Sequence, residues 1–238
     1  MTGMIGVKTM DKYLIPTPWD KRTFHIDTYE LTDASEEALQ ATAENEGHFT
    51  LKVDPYHNPE NIIKHGFYYM DSLTEPVCKK ENLHKFNREG TAISQTYDRK
   101  TILQIAEETF MYGRFHLDFH IPDSLADSRY MRWVDDLIEA DNVFSLLYKG
   151  ETAGFYAFDK NKVLLLGIKK EFQGKGLTKS FASKGCEWQF DLGYDELYTS
   201  ISPANVASLN LFISLGFRLR KTVDVYHKLN GPAPTAGV

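Results

Sequence analysis

The sequence predicts an α+β fold, helices and strands arranged around a mixed αβ sheet, and three observations carry that expectation. Residues 141–149, 151–159 and 162–169 read as strands, the first two joined at Lys149-Gly150, which makes an antiparallel meander. Helical spacing marks residues 99–112, through Ile102, Ile105, Ala106 and Phe110, and residues 125–140, through Leu125, Tyr130, Trp133, Val134 and Leu137. The apolar run 163–168 then passes through Gln173-Gly174-Lys175-Gly176-Leu177-Thr178 into a helical run that starts at Thr178 and ends near Gly193.

Taken in order from the N-terminus, residues 24–31 read as a strand, 35–45 as a helix, 48–53 as a strand, 59–65 as a helix and 67–73 as a strand. A short strand at 90–96 precedes the two helices, the meander and the glycine-rich turn with its helix. A β-rich run at 196–201 comes next, then a helix entered at Asn205 and closed by Leu215-Gly216-Phe217, then a last strand with Tyr226 and His227. The early elements echo the late ones. Lys52-Val53-Asp54 leads through Asn58 to Gly66-Phe67 much as Thr199-Ser200-Ile201 leads through Asn205 to Gly216-Phe217. No glycine-rich turn precedes the first copy, and the small, Pro-rich tail 231–238 is expected to be disordered.

The turn at 173–178 suits an anion. Glycines let the backbone approach a phosphate, successive N–H groups can face one concavity, and the first turn of the following helix adds partial positive charge. Lys169, Lys170, Lys175, Lys179 and Lys184 cluster around it, either as a basic patch or as an ordinary solvated helix face.

With 238 residues, 42% of them hydrophobic and 13% aromatic, the chain can build one large domain or two small ones. A net charge of −6 argues against nucleic-acid binding by broad phosphate neutralisation. Cys78 and Cys186 are far apart and in no metal-ligand spacing, so neither a disulfide framework nor a zinc site is expected. No signal pattern or apolar run of membrane length is present, which makes a reducing cytoplasm the expected location.

The order strand, Gln-Gly-Lys-Gly-Leu turn, helix, strand, asparagine, helix, Leu-Gly-Phe resembles the acetyl-coenzyme A binding core of the GNAT acetyltransferase superfamily. The resemblance implies the GNAT acyltransferase fold over residues 90–230, preceded at 1–89 by a smaller, degenerate GNAT-like αβ half that binds no cofactor. It also implies an acetyl-CoA-dependent N-acetyltransferase with acetyl-CoA as cosubstrate. Backbone of Leu166, Gly167 and Ile168 would line the pantetheine arm, one N–H there facing the oxyanion. Gln173, Gly174, Lys175, Gly176, Leu177 and Thr178 would contact the pyrophosphate, and Asn205 would bond the arm while also serving as a helix cap. Thr178 stands where the family usually has Gly or Ala. Phe212 stands where many members have a tyrosine that protonates the departing thiolate, and phenylalanine has no proton to give. The segment Gly113-Arg114-Phe115-His116-Leu117-Asp118 resembles a loop in the subgroup that acetylates an amino-sugar nucleotide for surface glycans.

With no acid at Phe212, the candidate acids and bases are Tyr226 and His227 on the last strand and His116 and Asp118 in the preceding loop segment, His116 as the group that collects the amine proton near neutral pH. His116, Asp118 and His120 alternate like metal ligands but lack a fourth partner, so no metal is expected. Expected partners are coenzyme A and a small amine acceptor, with neither nucleic acid nor a membrane, and a homodimer is left open. Two alternatives also stay open: a non-catalytic GNAT-fold binding or regulatory protein, and an acetyltransferase for a peptide, protein N-terminus or antibiotic.

Overall fold

The computed structural model describes residues 12–110 and 113–236. It begins with β1 (Leu14–Pro16) and α1 (Pro18–Phe24), whose first position is a proline that has no N–H to leave unpaired. His25 ends that helix in the left-handed region at φ 58°, so the strand expected from residue 24 starts only at β2 (Thr28–Leu31). Ser35 caps α2 (Glu36–Ala41) by accepting from the Ala38 N–H. Then follow β3 (Gly47–Val53), α3 (Glu60–Lys64) and the long β4 (Tyr68–Lys79).

The second half opens with β5 (Thr91–Ser94) and α4 (Arg99–Thr109), which Asp98 caps through the Thr101 N–H. Positions 111 and 112, expected as the end of that helix, lie outside the described residues, as do 1–11 and the tail's 237 and 238. Of the tail, residues 231–236 form neither helix nor strand, and Pro234 is buried. A short α5 (Arg114–Leu117), not expected from the sequence, precedes α6 (Asp123–Glu139). The meander follows as β6 (Val143–Tyr148), β7 (Glu151–Asp159) and β8 (Lys162–Ile168), then α7 (Thr178–Asp191), β9 (Glu196–Tyr198), α8 (Val206–Ser214) and β10 (Arg218–Asn230).

The described strands form one mixed sheet in the order β1-β2-β3-β10-β4-β9-β8-β7-β6-β5. The order reveals an exchange. In each half a strand, a helix and a long strand succeed one another, β3-α3-β4 and β9-α8-β10, yet β3 pairs with β10 and β9 with β4. The outer pairs match as well, since β2 runs parallel to β3 as β8 does to β9, and β1 is antiparallel to β2 as β7 is to β8. One difference breaks the symmetry. β2 and β3 pair at Thr28, Tyr29 and Glu30, whereas β8 meets β9 only where Lys162 faces Tyr198 and then splays away.

Helices cover both faces. On the first, α2 and α3 pack Leu39 and Ile62 against Phe49, Leu51 and Tyr226, and α7 and α8 pack Phe181, Phe190 and Phe212 against Phe144 and Tyr156. On the second, α4 and α6 set Ile102, Ile105, Val134 and Leu137 over Phe155 and Leu165, beside a smaller cluster of Phe24, Phe115, Ile121 and Leu125. Each fully covered side chain of this kind contributes roughly 1.5–3 kcal/mol. Gly185 lets α7 lie close to the sheet, because a Cβ there would sit 2.6 Å from the Tyr156 ring. The Tyr156 hydroxyl then donates to Gln189 Oε1 at 2.7 Å, which fixes the helix along its axis and with it the turn at its N-terminus.

Candidate active site

The splay of β8 from β9 leaves a wedge that is closed at Lys162 and opens toward Leu166, Gly167 and Ile168, where backbone groups of both strands lose their ladder partners. An extended ligand can bond there like an added strand. The glycine-rich turn stands at the open end. Gln173 Nε2 donates to the Ile168 carbonyl at 2.9 Å and ties the turn to the strand it leaves. Gly174 and Gly176 hold φ values of 70° and 67°, and residues 173–176 are exposed. The N–H groups of Gly174, Lys175, Gly176 and Leu177 have no acceptor among the described residues, which leaves four unpaired donors just ahead of α7. Arg88, from the connection between β4 and β5, buttresses the turn by donating from Nη1 to the Lys175 carbonyl. Beside the end of β8 lies a cleft of about 460 Å³ lined by Gln104, Ile105, Glu108, Lys169, Lys170 and Glu171.

Asn205 caps α8 by accepting the Ser208 N–H at 3.1 Å, and its side chain is otherwise exposed. Phe212 is buried edge-on to Phe217, with ring centroids 5.0 Å apart, and offers no proton to the wedge.

Of the acid–base candidates, the structure brings Asp118 and His227 together and leaves Tyr226 and His116 apart from them. Tyr226 precedes His227 on β10 and so points to the opposite face. It packs edge-on against Tyr69 within the core under α2 and α3, apart from the cluster that holds Ile168 and Phe212. Tyr226→Phe is therefore expected to leave turnover within about twofold, since only a hydroxyl outside the wedge is lost; a fall of the ~10²–10⁴-fold typical of a lost general acid, in a thiol-release assay, would overturn this placement. His116 accepts the Gly113 N–H at Nδ1 (3.1 Å), so its proton is on Nε2, which donates to Asp127 at 3.0 Å. Both ring nitrogens are thus engaged within the chain, away from the wedge.

Asp118 is the centre of a buried polar cluster between the halves. Oδ2 accepts from His48 Nε2 at 2.9 Å and from His227 Nδ1 at 2.7 Å. Oδ1 accepts the Tyr68 hydroxyl at 2.9 Å and the His120 N–H at 3.0 Å. Burial alone would raise the Asp118 carboxyl, but the hydrogen bonds from His227 and His48 outweigh it and hold the group well below the usual carboxylate range. Burial pushes the His227 imidazole down to about 3 against the pull of Asp118, so this histidine is neutral near pH 7. The ligating atoms of His48, Asp118 and His227 lie within 4.8 Å of one another, close enough for a metal set, but an ion would displace the hydrogen bonds that already fill Asp118. His48 and His227 stand 70 and 109 residues from Asp118, so no local spacing announces the cluster.

Other groups on the second face also escaped sequence reasoning. Ser202, just past the isolated bridge between Ile201 and Thr74, donates from Oγ to Asp71 Oδ1 at 2.8 Å, which places a half-buried carboxylate beside the mouth of the wedge. Lys162 sits at the closed end with Nζ 5.7 Å from the Tyr198 ring centroid, and burial lowers its pKa. No helix among the described residues is long and apolar enough to cross a membrane.

Residues 101–217 match the model of the Acetyltransferase (GNAT) family. Among solved structures, the chain is similar to a functionally unknown conserved protein from Staphylococcus epidermidis, with TM-score 0.62 and 12% identity over 94% of each chain. A GCN5-related N-acetyltransferase from Sphaerobacter thermophilus is similar at TM-score 0.57 and 11% identity, over 84% of this chain and 67% of that one. A tandem GNAT protein from the clavulanic acid biosynthesis pathway is similar at TM-score 0.52 and 12% identity, over 86% of this chain and 76% of that one. No curated protein matches the sequence at a significant level.

Proposed function

We propose that the chain is an acetyl-CoA-dependent N-acetyltransferase, a reading supported by the match of residues 101–217 to the Acetyltransferase (GNAT) family model, and that its acceptor is the primary amine of an amino-sugar nucleotide. The observation that carries the catalytic reading is the wedge between β8 and β9 with four unpaired N–H donors at its open end. In this reading the pyrophosphate of acetyl-CoA sits on the turn formed by Gln173, Gly174, Lys175, Gly176, Leu177 and Thr178. The pantetheine arm lies along Leu166, Gly167 and Ile168, within reach of Asn205, and an N–H of that strand faces the oxyanion. The neutral amine attacks the thioester carbonyl, the C–N bond forms, the C–S bond breaks, and the amine proton leaves to solvent. Positioning supplies much of the acceleration. Asp71, tied to Ser202, holds the incoming ammonium group before it is deprotonated, and the thiolate departs past Phe212 without a protein acid.

The acceptor assignment is supported by the likeness of Gly113-Arg114-Phe115-His116-Leu117-Asp118 to the Arg-Phe loop of TDP-fucosamine acetyltransferase, which also has an N-terminal extension. The exchange symmetry of the sheet and the likeness to a tandem GNAT protein support reading residues 1–89 as a degenerate half. In that half β2 and β3 stay zipped and no glycine turn precedes α2, so it has no room for a second cofactor.

Purified protein with acetyl-CoA should release free thiol with aminodeoxy sugar nucleotides and not with polyamines or peptides, and calorimetry should count one coenzyme A per chain. Thiol release with peptides alone would replace the acceptor class. Binding without release to any amine would favour a non-catalytic GNAT-fold protein, and two equivalent sites per chain would overturn the degenerate half.

A further inference from the structure

Strand β4 borders the mouth of the wedge. Its edge toward β9 is paired only from Thr74, at the bridge to Ile201, to Lys79, so residues 68–73 face the gap that the splay opens. The register sets the level of each group. Tyr198 faces Lys162 on one side and Val77 on the other; six residues on from Lys162 is Ile168, and six back from Val77 along antiparallel β4 is Asp71. Asp71 therefore stands level with the end of β8, in the stretch where the acetyl-transfer reading places the oxyanion. Tyr68 follows three residues further along the same strand, roughly 10 Å at most. The register shift between Val225 and Tyr226 keeps both on one face, since Tyr68 lies opposite His227 and Asp71 opposite Val225.

His120 is held by Tyr68 and Asp118. Its Nδ1 lies 2.9 Å from the Tyr68 hydroxyl oxygen, which lies 2.9 Å from Asp118 Oδ1, and its backbone N–H donates to that same carboxylate oxygen at 3.0 Å. A carboxylate only accepts, so the single phenolic proton goes to Asp118 and the phenolic oxygen is left to accept from His120. The proton of neutral His120 is therefore on Nδ1. Nε2 is the bare nitrogen; it has no partner among the described residues, and the side chain is 33% exposed. Around the ring stand Asp118, with Oδ1 3.6 Å from Nδ1, and Tyr68, with His227 of β10 and His48 of β3 behind Asp118 and Asp71 further along β4. Tyr68 and Asp118 fix the tautomer and the orientation of His120, the part that a buried carboxylate plays for a catalytic histidine.

We propose that His120 is a catalytic base, the group that takes the first proton from the ammonium held at Asp71. The proposal rests on the acetyl-transfer reading. One N–H bond of the ammonium breaks, its electron pair stays on the amine nitrogen, and the proton passes to His120 Nε2 directly or through one water. The neutral amine then attacks the thioester, its second proton leaves to solvent, and the imidazolium returns the first proton to solvent once the product has gone.

Nitrogen-15 NMR of the histidine-labelled full chain tests the wiring, with the His120 signals assigned by their loss in His120→Gln, whose amide can still donate to Tyr68. Neutral His120 should be the Nδ1–H tautomer, and Tyr68→Phe, which removes the phenolic acceptor, should shift it toward Nε2–H. Thiol release from acetyl-CoA with a dTDP-linked aminodeoxyhexose tests the role. His120→Gln should lower kcat/KM for the amine about a hundredfold, the low end of what a general base supplies, and leave acetyl-CoA affinity by calorimetry unchanged. The pH profile of kcat/KM should break where the His120 nitrogens titrate in NMR, and the variant should lack that break. Tyr68→Phe, which acts through His120, should lose about tenfold by poorer positioning and keep the break. An Nε2–H tautomer in the unaltered chain, or a His120→Gln profile within about twofold of the parent at every pH, overturns the assignment while acetyl transfer stands. If the unaltered chain binds no acetyl-CoA or releases no thiol, the acetyl-transfer reading falls and the assignment with it.

Discussion

Replacing Gly176 by valine should raise the dissociation constant for acetyl-CoA by a hundredfold or more. Gly176 holds φ 67°, a region that costs a β-branched residue roughly 1–3 kcal/mol, and its added Cβ would lie 2.8 Å from Arg88 Nη1. The turn must therefore flatten and Arg88 must let go of the Lys175 carbonyl. Both changes scatter the N–H donors of Gly174, Lys175, Gly176 and Leu177, each of which would make a charge-assisted bond to phosphate worth about 1.5–3 kcal/mol. Loss of two such bonds alone exceeds the ~2.7 kcal/mol that a hundredfold requires. Isothermal titration of both proteins checks it, with thermal melting to show that the variant is folded; unchanged affinity would remove the turn from the cofactor site.

Asp118→Asn should cost about 3–5 kcal/mol of folding stability, the usual penalty when one partner of a buried charged network is removed. An asparagine amide cannot accept from His48, His227, Tyr68 and the His120 N–H together. Urea unfolding at pH 7 measures the loss, and a change below about 1 kcal/mol would show the network to be dispensable. The same cluster sets an acid limit. His227 titrates near 3 when folded and at 6.5 when free, so below pH 6.5 the unfolded chain takes up a proton that the folded chain refuses. Stability is full above that point and declines toward pH 3, by about 1.4 kcal/mol per unit and on the order of several kcal/mol in all. Asp118, depressed from 3.8, adds a second loss in the same direction below about pH 4. In Asp118→Asn the decline from pH 6.5 should persist while the added loss below 4 disappears.

What the sequence disclosed and what it hid divide by the range of the interactions involved. The meander, the start of α7 at Thr178 and the Asn205 cap are set by neighbouring residues, so turn glycines, alternation and a capping side chain made them readable. Phe24 looked like strand because its apolar neighbours alternate, yet Pro18 at the first position of α1 draws it into a helix. The four-residue α5 is too short to show a period. His48 and His227 acquire their meaning only when β3 and β10 lie side by side, with His227 opposite Thr50, and nothing within either strand signals that pairing. Tyr226 reads as a candidate from its place on the last strand, but strand alternation sends it into the first-face core.

The exchange of β4 and β10 has a consequence for biosynthesis. A chain emerging N-terminus first completes β3 and β4 long before β10 exists, so both must wait as open edges while more than half of the sequence is made. Pairing β3 with β10 joins Gly47 to Asn230, a closure among the most distant available to the chain, and contacts of that separation form slowly. The nascent protein therefore carries its own vulnerable interval. During it the charged Lys52 and Lys79 on those edges, and whatever chaperone meets them at the ribosome, guard against the chain pairing with a neighbour instead of with itself.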